Sequence, residues 1–194
     1  MKNLIFTFLC LILTFSANSQ EQTLINNASV RGGFGSFFTG VGDLNGQEAV
    51  SAGGGGGVVI NNFFIGGFGE GVTQVDPFLL DGEDYDLSMG YGGLWLGFMY
   101  PSNSLFHMYA SGKVAYGGVV LQPENDDFDL NEFDTGIFVM HPELGLELNV
   151  TSWFRLAFTA GYRIVNNVKD IPNINEDELT DFTYGLTFRF GHFW

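Results

Sequence analysis

The sequence predicts an all-β fold, an eight-stranded antiparallel up-and-down transmembrane β-barrel. Apolar residues alternate with polar or small ones in eight stretches, and helical spacing of apolar residues is not found beyond the N-terminal segment. The connections predicted between these stretches alternate in length, as in barrels with short turns on one side of a membrane and long loops on the other. The predicted strands lie at about residues 28–38, 48–60, 63–74, 86–100, 105–120, 135–149, 153–165 and 181–193.

The N-terminal segment has the pattern of a secretory signal peptide. Lys2 precedes an apolar run over residues 4–15, and Ala17-Asn-Ser19 is a small-x-small cleavage site. We therefore expect residues 1–19 to be a cleaved signal peptide and residues 20–194 to form the barrel domain. The single cysteine, Cys10, lies inside the apolar run, so its removal excludes disulfides and Cys-ligated metal sites.

Composition agrees with a barrel wall and excludes some partners. The 28 glycines and 21 phenylalanines of the 194 residues suit a wall in which glycine relieves crowding and rings lie at membrane interfaces. The net charge of -15 argues against nucleic acid, which requires a basic surface. The acids concentrate in residues 76–86, 124–134 and 170–181, which predicts an acidic rim on the loop side.

The predicted connections sort into two groups. Those after the second, fourth and sixth strands are tight, at residues 61–62, 101–104 and 150–152. Those after the first, third, fifth and seventh strands are predicted to be longer. This sorting predicts periplasmic turns and extracellular loops.

Charged residues of the last three strands fall on the face opposite the apolar residues. A charge facing lipid at mid-depth would cost about 2–4 kcal/mol, so this face is predicted to line the lumen. An odd-length turn around Thr151 would place Glu147 opposite Arg155, and Glu70 is placed inward on cost alone. The predicted lumen ion-pair network consists of Arg31, Lys113, Glu143, Glu147, Arg155, Arg163 and Arg189.

The last strand alternates aromatic and polar positions almost to the C-terminus. Thr183, Gly185, Phe188 and Phe190 follow the order polar, x, Gly, x, x, aromatic, x, aromatic. This order resembles the signal by which the barrel assembly machinery recognises outer-membrane barrels, which implies that machinery as a partner. The sequence departs from the pattern by a four-residue extension, residues 191–194.

Three further stretches carry a resemblance to a family. Residues 60–69 (INNFFIGGFG), residues 90–94 (GYGGL) and residues 143–151 (ELGLELNVT), the last followed by Phe154-Arg155 and Tyr162-Arg163, resemble a branch of the small eight-stranded outer-membrane barrels. That resemblance implies the bacterial outer membrane as location, with its lipids and lipopolysaccharide as partners. The branch brings no established activity.

Two patterns in the sequence mimic a metal site and a catalytic site. Residues 127–131 have the spacing of an EF-hand start, but Glu132 replaces the required glycine and Phe138 the bidentate glutamate. Loose divalent-cation binding by the acidic loops, shared with lipopolysaccharide phosphates, stays open beside a plain solvated loop. His107 and His141 lack the nearby serine of lipid-modifying barrel hydrolases. We therefore predict no cofactor and no catalytic set.

Two hypotheses for function remain beside the disfavoured hydrolase. The first is a non-enzymatic outer-membrane barrel with a structural or surface-interaction role, acidic extracellular loops and a charge-plugged lumen. The second is a carrier or channel for a small hydrophobic molecule that enters the lumen from above and leaves sideways through the glycine-rich wall. Charges crossing the lumen at mid-height would oppose the carrier, whereas an apolar pocket above them would favour it.

Overall fold

The computed structural model describes residues 29–80, 83–101, 104–123, 133–169 and 174–193. Within these ranges the chain forms nine strands and one short helix. They are β1 (Val30–Leu44), β2 (Gln47–Ile60), β3 (Phe63–Gln74), β4 (Phe78–Leu80), β5 (Glu83–Tyr100), β6 (Phe106–Pro123), β7 (Phe133–Asn149), β8 (Phe154–Asn166), α1 (Glu176–Leu179) and β9 (Asp181–His192). The predicted signal peptide lies outside the described residues, as do Trp194 and most acids of the predicted third loop.

Eight of the described strands close into a barrel. The order β3-β2-β1-β9-β8-β7-β6-β5 is antiparallel throughout, and a pairing between β3 and β5 joins its two ends. Strand β4 pairs with the first residues of β5, 83–85, and is not part of the eight-stranded wall. Because closure leaves no edge in the wall, each of its eight strands has two neighbours within it. The prediction of an eight-stranded antiparallel up-and-down barrel is confirmed.

The two ends of the barrel differ in their connections. One end carries the short connections at residues 61–62, 101–105 and 150–153, and we call it the turn end. The opposite end, the loop end, carries the longer connections between β3 and β5, β6 and β7, and β8 and β9. No helix among the described residues is long and apolar enough to span a membrane.

The first connection at the loop end was predicted to be long, and that prediction is wrong. Strand β1 continues to Leu44 and β2 begins at Gln47, so the connection is the dipeptide Asn45-Gly46. Both residues have positive φ, 55° and 75°, which is the geometry of a type I′ hairpin turn. The Gly46 amide also donates to the Asp43 carboxylate at 2.7 Å. The first hairpin therefore reaches further toward the loop end than predicted, mainly because β1 ends at Leu44 instead of residue 38.

The strands alternate between an outer and an inner face. The outer face carries apolar side chains, and it ends in aromatic contacts such as Trp153–Phe190 at the turn end and Tyr162–Phe182 at the loop end. An apolar band between two aromatic girdles is the surface that a barrel wall presents to lipid. Inside, Gly53 faces Phe38, and a Cβ on Gly53 would collide with that ring. Glycine on β2 thus makes room for large side chains from other strands.

Apolar side chains fill the lumen at the loop end. Strands β1, β5, β6 and β7 and helix α1 contribute one residue each, and all five are fully buried: Leu44, Leu87, Leu121, Ile137 and Leu179. We call this set the apolar layer. Helix α1 is held against the barrel mouth by its Glu178 carbonyl, which accepts the Asn45 amide at 2.7 Å.

Candidate functional site

The charged residues inside the barrel form two separate groups. The first, near the turn end, we call the turn-end cluster, and it consists of His107, Glu147, Arg155 and Arg189. Glu147 accepts from Arg155 at 3.0 Å and from Arg189 at 2.8 Å, and His107 Nε2 lies 2.9 Å from the same carboxylate. Glu147 and Arg189 are both 0% exposed. One carboxylate therefore binds two guanidinium groups away from solvent.

Aromatic rings surround Arg189. Its guanidinium carbon lies 4.2 Å from the ring centre of Tyr109, 4.8 Å from Phe64, 5.0 Å from Phe34 and 5.1 Å from Trp95. Cation–π contacts in a desolvated site contribute about 2 kcal/mol or more, so the rings stabilise the positive charge that Glu147 alone does not neutralise. Four strands supply these rings, which makes the cage a product of barrel closure.

The C-terminal segment covers this cluster on the side of the turn end. After β9 ends, the Phe193 side chain lies buried, with its ring centre 3.9 Å from the Arg155 guanidinium carbon. The same ring stacks on Phe34 at 6.1 Å. The extension that departs from the assembly-signal pattern thus places an aromatic ring across the turn end of the lumen.

The second group lies higher in the lumen and is called the middle cluster: Glu70, Lys113, His141 and Glu143. Lys113 Nζ donates to Glu143 at 3.0 Å and to Glu70 at 3.2 Å. It also lies 4.2 Å from the ring centre of Phe38. Two carboxylates share one ammonium here, so the balance of charge is opposite to that of the turn-end cluster.

Hydroxyl groups and a small cavity complete the middle cluster. Ser111 donates to Glu143 at 2.6 Å, and His141 Nε2 lies 2.7 Å from the Thr183 hydroxyl. A polar cavity of about 20 Å³ adjoins these groups, lined by Glu70, Lys113, His141, Glu143 and by hydroxyl side chains that include Ser51, Thr159 and Thr187. This volume holds about one water molecule.

Arg163 belongs to neither cluster. Its guanidinium donates to the Leu179 carbonyl at 3.0 Å and to the Asp43 carbonyl at 2.6 Å. It therefore ties helix α1 and the first hairpin to β8, directly beneath the apolar layer. Six of the seven residues of the predicted network are thus divided among separate levels of the lumen.

Two details of the predicted network are wrong. Glu147 pairs with Ala157, and Arg155 pairs with Asn149, so Glu147 and Arg155 are diagonal neighbours two residues apart in register. Five residues, 150–154, separate the last pair, Asn149 and Arg155, so the hairpin is centred on Ser152 instead of Thr151, and the long arginine side chain spans the diagonal. Arg31 is exposed, because it lies at a register irregularity between Val30 and Gly32 near the end of β1.

The residues of the predicted assembly signal lie on both faces of β9. Thr183 and Gly185 face the lumen, and the Thr183 hydroxyl contacts His141. Phe188 stacks on Phe37 at 6.2 Å, and Phe190 stacks on Phe154 at 5.0 Å, on the outer face. The outer aromatic residues therefore lie where a protein or lipid surface can reach them.

His107 and Ser111 were not predicted as members of the lumen network. Both share the inward frame of β6 with Lys113, being separated from it by even numbers of residues, and that frame is the signal that finds them. His107 contacts Glu147, and Ser111 donates to Glu143, so both groups are engaged with carboxylates. Among the described residues, no group of three or more His, Cys, Asp and Glu is arranged to hold a metal ion.

Solved structures share this architecture. The crystal structure of Neisserial surface protein A (NspA) matches with a TM-score of 0.61 and 10% identity, covering 85% of this chain and 99% of that chain. Ail, the attachment invasion locus protein of Yersinia pestis, in complex with the heparin analogue sucrose octasulfate, matches with a TM-score of 0.52 and 11% identity, covering 82% and 97%. No family model matches the chain, and no curated protein matches its sequence. The resemblance to small eight-stranded outer-membrane barrels is confirmed at the level of fold.

Proposed function

We propose that this protein is a non-enzymatic integral protein of the bacterial outer membrane, with a structural or surface-interaction role and a lumen plugged by its own side chains. The observation that carries the proposal is the fully buried contact of Glu147 with Arg155 and Arg189. These side chains cross the barrel interior, and an eight-stranded barrel is only wide enough for side chains to fill it. In this proposal residues 1–19 direct export, residues 20–194 form the barrel, and the turn end faces the periplasm.

The plug has three levels in the described part of the lumen. The turn-end cluster, the middle cluster and the apolar layer follow one another from the turn end to the loop end. Trp95 lies between the two clusters, since its ring centre is 5.1 Å from the Arg189 guanidinium carbon and 5.7 Å from Lys113 Nζ. The clusters are thus packed against each other through this ring, which favours a rigid interior over a transport path.

The packing disfavours the hydrophobic-carrier hypothesis. A carrier needs an apolar space at the loop end, but the apolar layer fills that space with fully buried side chains, among them Leu44 and Leu179. Below it, charged side chains occupy the lumen at mid-height. We therefore place the carrier second, and the hydrolase third because Ser111 is engaged with a carboxylate.

The surface role is assigned to the acidic loop end. Glu48, Asp76, Asp86, Glu176 and Asp177 are described there and are exposed. A negative rim attracts basic partners and repels polyanions. The sulfated ligand named for the Ail structure is a polyanion, so we expect a different partner for this chain, namely a basic protein surface, or lipopolysaccharide phosphates bridged by divalent cations.

Fractionation and gel migration test the membrane placement. We expect the protein in the outer-membrane fraction, and unboiled samples should migrate differently from boiled ones because a closed barrel resists detergent. Recovery as a periplasmic protein that stays soluble without detergent would overturn the proposal.

A surface-binding assay tests the acidic rim. The double variant Glu176→Gln/Asp177→Asn should weaken retention of a basic protein on cells that display the barrel, and added salt should weaken it further. The matched control is Lys169→Gln, which removes a charge of the opposite sign at the same end. Equal retention by all three proteins would contradict a role for the rim.

A further inference from the structure

An apolar groove runs along the outer wall at the turn end. It is lined by Ile60, Phe63, Ile65, Leu96, Phe98 and Gly112, and it offers a volume of about 780 Å³ that is open to the outside. The ring centres of Phe63 and Phe98 are 4.8 Å apart, and both rings line the groove. We call this feature the wall groove.

The wall groove owes its depth to small residues on β6. Ala110 and Gly112 line it where neighbouring outer positions carry larger side chains. A Cβ built on Gly112 would have no heavy atom within 4 Å, so the packing of this chain does not require glycine there. Ser111 also borders the groove, but its hydroxyl is directed to Glu143 inside the barrel. The groove therefore presents an apolar surface without a free hydroxyl from Ser111.

An exposed basic residue, Arg31, lies at the same end of the wall. Of the six lysines and arginines within the described ranges, four are buried in the lumen, and the two exposed ones are Arg31 and Lys169. Lys169 is at the loop end. Arg31 follows Val30, whose partner across the β1–β2 pairing is the groove residue Ile60. Neighbouring strands are about 4.8 Å apart, so the Arg31 backbone is roughly one strand spacing from the groove.

An apolar groove beside an exposed arginine matches the chemistry of an anionic phospholipid. Acyl chains fill apolar grooves in a membrane-facing wall, and phosphate groups at the interface attract arginine. We propose that the wall groove and Arg31 together bind one anionic phospholipid of the periplasmic leaflet, with an acyl chain in the groove and the phosphate beside Arg31. This inference rests on the membrane placement proposed above.

Native mass spectrometry of the detergent-purified barrel tests the site. Phosphatidylglycerol and phosphatidylethanolamine are titrated separately, and lipid adducts are counted. The wild-type protein should bind phosphatidylglycerol about fivefold more tightly, a factor that corresponds to the ~1 kcal/mol typical of one basic residue at an anionic surface. Arg31→Gln should abolish this preference, whereas Arg31→Lys should retain most of it.

Variants of the groove separate the chain from the headgroup. Gly112→Leu should weaken binding of both lipids, because the new side chain enters the groove and its Cβ meets no heavy atom within 4 Å. Ala110→Leu narrows the same groove and replaces Gly112→Leu if that variant does not fold. The matched controls are Gly90→Leu, at an outer position with equal free space outside the groove, and Lys169→Gln at the opposite end. Both controls should bind like the wild type.

Three results would overturn the site. Unchanged lipid preference in Arg31→Gln would remove the headgroup contact, and unchanged affinity in both groove variants would remove the chain contact. A wild-type dimer that Gly112→Leu converts to a monomer would show that a second copy of the chain, instead of a lipid, covers the groove. A barrel found outside the membrane would contradict the proposed function itself, whatever the purified protein binds.

Discussion

The turn-end cluster and the middle cluster both hold charged side chains inside the barrel, but their balances of charge are opposite. In the turn-end cluster one carboxylate meets two guanidinium groups, which leaves an excess of one positive charge if His107 is neutral. In the middle cluster two carboxylates meet one ammonium group, which leaves an excess of one negative charge if His141 is neutral. Rings surround the excess cation, whereas hydroxyl groups and a water-sized cavity adjoin the excess carboxylate.

The difference follows from what each charge accepts as a neighbour. An arginine is stabilised by aromatic faces and needs no water there. A carboxylate is an acceptor and requires donors, which the Ser111 hydroxyl and a water in the cavity can supply. The middle cluster, which adjoins a water-sized cavity, is consequently expected to be the more adaptable of the two.

The largest expected effect is the loss of Glu147. Glu147→Ala leaves Arg155 and Arg189 buried side by side without their shared carboxylate, and removal of one partner of a buried pair typically costs about 3–5 kcal/mol. The denaturant midpoint of the barrel refolded in lipid vesicles measures the change. The control is Glu48→Ala at an exposed position near the first turn, which should be near neutral. Equal and small effects of Glu147→Ala and Glu48→Ala would show that water reaches the turn-end cluster and solvates its arginines.

The matching change in the middle cluster should be smaller. Lys113→Met leaves Glu70 and Glu143 without their shared ammonium group, but the cavity next to them admits a water that can donate to a carboxylate. We expect a loss of about 2 kcal/mol, below the range for a rigid buried pair. The same unfolding measurement gives the comparison directly. A cost equal to that of Glu147→Ala would contradict the difference in adaptability.

The C-terminal ring should have a smaller effect again. Phe193→Ala removes the contact with Arg155 and exposes the turn-end cluster to water from below. A desolvated cation–π contact is worth about 2 kcal/mol, and water that replaces the ring recovers part of it, so we expect a loss of ~1 kcal/mol. Phe193→Leu, which keeps an apolar plug without the π-face, is the matched variant. If both substitutions leave the unfolding midpoint unchanged, the ring does not seal the cluster.

Local patterns predict the fold well but only part of the site. Alternation along single strands places Glu147, Arg155 and Arg189 on the inner face, since a charge on the outer face would contact lipid. Register is a property of two strands, and the diagonal contact of Glu147 with Arg155 depended on a turn length that the sequence alone did not show. The position of Arg31 depended on a register irregularity, which alternation cannot reveal.

The glycine-rich hairpin and the aromatic cage were hidden for other reasons. Residues 39–44, with glycine at 40 and 42, give only weak apolar alternation, so the end of β1 at Leu44 was missed although Asn45-Gly46 favours a tight turn. The rings around Arg189 come from β1, β3, β5 and β6, and contacts between residues so distant in sequence leave no local pattern.

The smallest expected effect is on ion conduction, where both clusters should give nearly the same result. The acidic rim would attract cations to the mouth, so electrostatics alone predict a cation-selective pore. Sterics act first, however, because an ion senses selectivity only in a path that admits its hydration shell. The lumen contains Arg155, Arg189 and Lys113 in addition to the apolar layer, and eight strands leave little room beside them.

We therefore expect no steady porin-sized conductance from the wild-type protein in planar bilayers, and at most brief flickering as ion pairs rearrange. Lys113→Met should also show no steady conductance, because the turn-end cluster and the apolar layer still close the path at two other levels. Glu147→Ala should increase the flickering more than Lys113→Met does, since it removes the carboxylate that both Arg155 and Arg189 share. Large, stable, cation-selective steps from wild-type monomer would refute the inward assignment of these charges and return the transport hypothesis to first place.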